Sequence, residues 1–522
     1  MKKILYTLIA LATLATAFSC KPETLETTPT DAVSGEFILG TTEGGYQALN
    51  GTIRFFWQWG STTTGNYHQC FGPLSYGLAA DLMGEDFIMH ASGNGWFWYD
   101  YLYDVKDMFN STTWRPYDAW NYYYTLISNC NYILAKQEEM QGPEEDVNYI
   151  MGNAYAFRAY AYAFCAMLYA RSYIGHEDRL CIPIYTEPTQ AGTPGKARST
   201  NKEVFAQAMS DINNAIELIG NASRRHVSQF DKYNANGVKA RIALYMGDYQ
   251  TAYDAAKIAA EGGTYAFDPD EHFNDAFAKD VIWGAEIIES QGTTNPQFLA
   301  HMDYRFGGYG DSARKCCSNW LYGKMSGQDL RKGWWKMETM PDGTQKLQQY
   351  KFLFQDPSNT YIGADHVFMR VPEMILTMAE CACRLGRDSE AQEILNDFMS
   401  TRCEDYECTK TGTALGKLTT DETGSLLEEI LIQRRVELWG EYGRVYDIKR
   451  LRQGFVRTEA MGHPKAALLN TLHCDDPESF DWVLTIPAKE YDANPLMVKN
   501  PITSYAEGEY GDDPALTPAS EE

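Results

Sequence analysis

Apolar residues recur at three- and four-residue steps along most of the chain, the spacing of amphipathic helices. Trp120, Tyr123, Tyr124, Ile127, Cys130, Asn131 and Leu134 define one such helix over 120–137, and a longer run covers 147–173. A third extends from Ser199 to Ile219, with Glu203 in its first turn and Val204, Phe205, Ala208, Ile212, Ala215 and Ile216 on one face; a hydroxyl followed by an early Glu is a helix-start signal. Residues 234–260 are Ala-rich and interrupted at Gly247-Asp248-Tyr249. Pro372 suits the first turn of a helix to Leu385, Gly386 breaks it before 388–401, and 426–452 is the last strong helical pattern. The intervals 51–115, 262–365 and 454–522 carry Gly, Pro and short apolar runs, which predict loops and small strands.

Two segments share a pattern. Residues 240–259 read as helix, Gly-Asp-Tyr turn, then Ala252, Ala255, Ala256 and Ala259; residues 379–395 read as helix, Gly386-Arg387-Asp388 turn, then Ala391 and Leu395. Small residues where two antiparallel helices cross, with Gly at the turn, mark tetratricopeptide-type hairpins. The fold class expected is mainly α: a tetratricopeptide-like helical scaffold carrying large loop-rich inserts.

The N-terminus has its own logic. Lys2 and Lys3 precede an apolar run from Ile4 to Ala17, closed by Ala17-Phe18-Ser19-Cys20. The run is short for a ~30 Å hydrocarbon layer, so it reads as a signal peptide over 1–19. Small residues before a cysteine favour a lipoprotein signal, with Cys20 lipidated, over a signal whose cysteine is incidental. Residues 20–35 are rich in Thr, Pro and Glu and predict an extended tether. Eleven further cysteines form no CxxC pair, and the nine histidines show no metal spacing, so neither metal nor cofactor is expected. Cys316-Cys317 and Cys403 with Cys408 offer disulfide pairs for an oxidising envelope. The net charge of −25 argues against nucleic acid and against electrostatic docking on anionic lipid.

The residues also carry a family resemblance. Trp120-Asn121, Tyr124 and Asn131; Phe157-Arg158-Ala159-Tyr160 with Ile182-Pro183; Arg198 to Ile216; Phe368-Met369-Arg370 with Glu373 and Glu380; Arg434-Arg435, Glu437, Glu441, Arg444 and Asp447; and Ile486-Pro487 with Asn494-Pro495 follow in order along the chain. Together they resemble the SusD/RagB family of outer-membrane glycan-binding lipoproteins of Bacteroidetes. The resemblance implies an N-terminal region over 36–225 with an aromatic-rich insert and a C-terminal region over 226–522 ending in an acidic tail. It further implies a lipid-anchored, cell-surface-facing protein that captures oligosaccharide and delivers it to a SusC-type TonB-dependent transporter.

Candidate chemistry lies in two places. Glu437, Glu441, Arg444 and Asp447 fall at three- and four-residue steps, on one face of a single helix. Flanked by arginines, these carboxylates read as an ion-pair network rather than an acid–base pair, so no catalytic residue is expected. Asp81, Glu85 and Asp86 read as a solvated acidic loop. The aromatic distribution is more informative, with 35 Tyr, 23 Phe and 12 Trp. Trp57, Trp59, Trp96, Trp98, Trp114 and Trp120 crowd the first quarter, and Tyr304, Arg305, Tyr309, Trp320, Trp334 and Trp335 form a second group. A sugar offers an apolar face and a hydroxyl rim, which suits aromatic rings edged by polar groups. Asn94, Trp96, Trp98, Tyr99, Tyr309 and Trp320 are the binding residues expected, with Trp96 and Trp98 pointing the same way from an extended loop and Trp320 opposing them. The alternative is that these rings close the core. Two rival functions fit a helical, aromatic chain: a secreted glycoside hydrolase, and a tetratricopeptide adaptor for peptide or protein.

Overall fold

The structure, a computed structural model, describes residues 38–60, 66–91, 95–103, 114–190, 192–290, 297–360, 364–479, 481 and 483–500. The signal peptide, Cys20, the tether, Asn94 and the tail after 500 lie outside the described residues. Among those described, fifteen helices and six short strands form.

The described residues open with α1 (Thr42–Trp57), whose last turns enter the 51–115 interval read as loops, and α2 (Pro73–Met83), which lies wholly inside it. Gly44, Gly45 and Gly51 masked α1; Gly44 is required because a Cβ there would lie 1.6 Å from the Ile38 carbonyl oxygen. Ten of the eleven α2 residues are buried, so the helix has no polar face to create a period. Strand β1 (Phe87–Ala91) and the short α3 (Trp98–Leu102) precede two long helices, α4 (Trp114–Leu134) and α5 (Glu144–Tyr169), packed against each other. Next, α6 (Asn201–Ile219) lies along α5 and opens with a reciprocal cap: Glu203 N donates to Thr200 Oγ1 at 3.2 Å, and Thr200 N donates to Glu203 Oε2 at 2.8 Å.

The expected hairpins follow. In the first, α7 (Lys232–Met246) and α8 (Tyr249–Ala260) join through Gly247 at φ 77°, a left-handed position that favours glycine. The intervening insert holds β2 (Val281–Ala285), α9 (Phe298–Met302), β3 (Ala313–Cys317), α10 (Asn319–Gly323), β4 (Trp335–Thr339), β5 (Gln345–Gln349) and β6 (His366–Arg370). The second hairpin, α11 (Val371–Arg384) and α12 (Asp388–Ser400), turns at Gly386, φ 74°. Although 110 residues of insert separate α8 from α11 (261–370), the two pack directly, so the hairpins stack as tetratricopeptide units do. The predicted 426–452 helix is in fact two, α13 (Leu426–Glu437) and α14 (Arg444–Leu451), separated by a turn with Gly440 at φ 83° and Gly443 at φ 106°. Glu441 therefore sits in the turn and shares no helix face with Glu437. A last short helix, α15 (Ala488–Ala493), closes the described chain.

Two antiparallel sheets serve as struts. One has the order β1-β3-β5-β4; its β1–β3 register pairs Phe87 with Cys317 at one end and Ala91 with Ala313 at the other. The second pairs β2 with β6. It delivers Trp283, fully buried, among Phe56, Phe157, Phe230 and Phe368 with ring centroids 4.8–6.2 Å apart, joining α1, α5 and the insert in one core. The eleven described cysteines are all buried and free. Cys316 and Cys317 are neighbours on a strand, so their side chains project to opposite faces and form no pair. Among the described residues no helix is long and apolar enough to cross a membrane.

Candidate functional site

The aromatic insert and the second aromatic group meet at the Ala91/Ala313 end of the β1–β3 pair. Gly95 packs there against Ala91 and Ala313, leaving no room for a Cβ, and the Trp98 N–H donates to the Gly95 carbonyl at 3.0 Å. Phe97 adopts φ 67° and turns inward, 1% exposed, between Phe71 and His301. This left-handed residue, followed at once by α3, replaces the extended geometry predicted for Trp96 and Trp98. Their rings take different partners: Trp98 leans on Tyr101, while Trp96 stacks on His68.

The half-buried Trp96 stacks on His68, centroids 4.6 Å apart at 25°, and meets the edge of Tyr309 at 5.2 Å and 76°. The Tyr309 hydroxyl is hydrogen-bonded to His68 Nδ1. Beneath them a column of rings runs inward: Tyr309 stacks on His301 at 4.9 Å, and His301 on Phe71 at 5.3 Å. The His301 Nε2–H donates to the His68 carbonyl at 2.6 Å. Burial, aided by the Lys315 charge, holds the His301 imidazole well below its ordinary value, so it stays neutral. Outward, Trp59 and Tyr67 continue the surface, 42% and 46% exposed, with rings edge-to-face at 6.1 Å. The result is a cluster of rings in which Tyr309 is buried, Trp96 and His68 are half-buried, and the exposed Tyr67 follows next to His68 in the chain.

One ring from each predicted group thus meets in space, Trp96 and Tyr309. Tyr99 is half-buried on α3. Trp320 joins neither: it sits on α10 beyond Cys317, at the opposite end of β1–β3, four register positions or roughly 13 Å along at ~3.3 Å per residue. Its ring instead carries the Arg435 guanidinium at 4.5 Å and the Lys324 ammonium at 4.6 Å. Trp57, Trp120, Trp334 and Trp335 are core residues. The sequence pattern did not single out Tyr67 or His68; they occupy a one-turn helix whose partners are distant in the chain.

The charged motif is buried scaffold. Glu437 faces Arg402 at 2.9 Å, Arg370 at 3.3 Å and Arg331 at 3.4 Å, and Glu441 faces Arg370 at 2.7 Å and Lys351 at 2.5 Å. Burial alone would raise the Glu437 carboxyl, but the three guanidiniums outweigh it and hold it far below the usual carboxylate range. A carboxylate so held cannot serve as a general acid. Glu85 and Asp86 are also buried, contrary to the solvated loop predicted. Arg435 reaches Asp86 at 2.7 Å and Glu85 at 2.8 Å, and Arg444 reaches Glu85 at 2.9 Å. Among the described residues no cluster of His, Cys, Asp and Glu suits a metal.

Comparison with known proteins fits this architecture. Residues 79–244 match the family described as "Starch-binding associating with outer membrane", and residues 253–502 match the family described as "SusD family". The chain belongs to the SusD family. Members of the family bind carbohydrate. A SusD-like protein, P38, of Formosa agariphila is 23% identical over 88% of this chain and 93% of its own length. A SusD-like carbohydrate-binding protein from Bacteroides vulgatus superposes with a TM-score of 0.72 at 24% identity, covering 88% of this chain and 97% of its own. Surface glycan-binding protein A from Bacteroides thetaiotaomicron, solved with laminarihexaose, gives 0.63 at 15% identity over 88% and 99%. These neighbours share the helical fold with its inserts.

Proposed function

We propose that this SusD-family protein is a lipid-anchored surface receptor that captures glycan on the Trp59–Tyr67–His68–Trp96–Tyr309 platform, without cleaving it, and hands it to a SusC-type TonB-dependent transporter. The observation that carries the reading is the contact of half-buried Trp96 with buried Tyr309, in a ring cluster that includes His68, the chain neighbour of exposed Tyr67. Flat rings take the apolar face of a pyranose, and the polar atoms of His68 and Tyr309 stand at the edge for its hydroxyls. Asn94, Trp98 and Tyr99 flank Trp96 in sequence and are the next contacts proposed; Trp320 would serve only a glycan long enough to pass the β1–β3 strands. The laminarihexaose held by a protein of the same fold supports an oligosaccharide as the ligand class.

Trp96→Ala is expected to weaken binding of the best ligand from a glycan array by ~2 kcal/mol, roughly thirtyfold, with melting near wild type. Trp283→Ala, in the core, instead costs ~3–5 kcal/mol of stability. Calorimetric titration and thermal melting of both variants make the test; an early-melting Trp96→Ala, or one that binds normally, moves the site elsewhere. Incubation with the same glycan should return it unshortened, whereas shorter products would revive the hydrolase. Cys20→Ser should release the protein from the membrane fraction while the folded domain survives. A variant retained there at unchanged mass would refute the lipid anchor.

A further inference from the structure

A second aromatic cavity, of about 350 Å³, lies between α4, residues 185–190 and 193–194, and the start of α15, within the ~300–1,000 Å³ range of small-molecule sites. Four rings line it: the half-buried Tyr117, Tyr124 and Tyr185, and the edge of the largely buried Trp120. Trp120 and Tyr124 lie 4.6 Å apart at 35°, and Tyr185 meets Tyr124 edge-on at 6.1 Å. Each outer ring is fixed from behind. The Tyr124 hydroxyl donates to the Pro183 carbonyl at 2.8 Å, and the Tyr185 hydroxyl accepts from Lys196 N at 2.9 Å. Glu490, on the cavity wall, accepts from Trp120 Nε1 at 3.3 Å and from Asn494 Nδ2 at 3.2 Å, so its carboxylate is held in place with lone pairs to spare.

The charged residues lining the cavity are Lys489 and Glu490, whose charges cancel. Lys489 is further occupied over the Tyr117 ring at 4.1 Å. Rings held in place, a fixed acceptor and no net charge describe a site for a neutral, flat, hydroxyl-bearing ring. We propose that this cavity is a second carbohydrate site, binding a terminal or short neutral pyranose unit. It shares with the proposed function the glycan ligand and none of its residues. A polysaccharide long enough to engage both would be held by avidity, each site raising the effective concentration for the other.

The test titrates wild type, Trp96→Ala, Ser128→Trp and Tyr117→Ala with maltohexaose, laminarihexaose and xylohexaose. Ser128 is a half-buried lining residue, and a tryptophan there fills the cavity; Tyr117→Ala removes one half-buried ring should the larger change fail to fold. The expected result is at least one hexasaccharide whose residual binding to Trp96→Ala falls about tenfold or more when Ser128→Trp or Tyr117→Ala is added, with melting unchanged. Wild-type binding that both cavity variants leave intact overturns the second site and spares the platform. No binding of any hexasaccharide to wild type overturns both.

Discussion

Glu437→Ala should lower the stability of the folded protein by ~3–5 kcal/mol, the cost of leaving a buried charge without its partner. Arg402, Arg370 and Arg331 converge on this one carboxylate, each 2% exposed or less, and among the described residues it is the one carboxylate paired with Arg402. The loss should appear as a lower midpoint in chemical denaturation, with glycan affinity per folded molecule unchanged. Acid should reproduce it. The carboxyl is held below its ordinary 4.5, so its contribution is complete above that value and fades as pH falls through the folded one. A stable Glu437→Ala that had lost affinity alone would transfer this residue from scaffold to site.

Lys315→Met should act in the opposite direction. Lys315 lies fully buried on β3 near His301, and its ammonium has no hydrogen-bond partner among the described residues. Burial pushes it down from 10.5 to about 7, while the neighbouring Cys316 thiol works weakly against this. That displacement corresponds to about 5 kcal/mol of folding free energy. For a base lowered on folding, the unfolded chain binds the extra proton between the two values, so the cost is full below pH 7 and disappears as pH rises toward 10.5. Methionine keeps the apolar stem and drops the charge. The gain in stability should therefore be largest at neutral and acid pH and vanish in strong alkali. A pH-independent gain would mean that the lysine titrates alike in the folded and unfolded chain, and a loss would mean that the ammonium has a stabilising partner.

Much of the scaffold was legible because its signals are local. The Gly247 and Gly386 turns, the Thr200–Glu203 cap and the apolar stripes of α4, α5 and α6 each lie within a few residues, where period and capping chemistry suffice. Helix α2 escaped because burial on all sides erases its period. The break between α13 and α14 was written in Gly440 and Gly443, but the charged period across them was the stronger pattern. The candidate site was legible only as two groups of rings. That Trp96 should meet Tyr309, and Trp320 should not, is decided by the β1–β3 register, and His68 finds Tyr309 across 241 residues. No local spacing encodes such a meeting.

The bridge from Arg435 to Asp86 spans 349 residues. A ribosome adding ~5–20 residues per second delivers the arginine roughly 20–70 s after the aspartate. Throughout that interval Asp81, Glu85 and Asp86 are mutually repelling anions with no counter-charge at hand, and β1 lacks β3 to pair with. Burying them early would strand charge in an apolar interior, so the first third of the chain is held open until the last third arrives. Early closure of the N-terminal third is thereby disfavoured by missing cations.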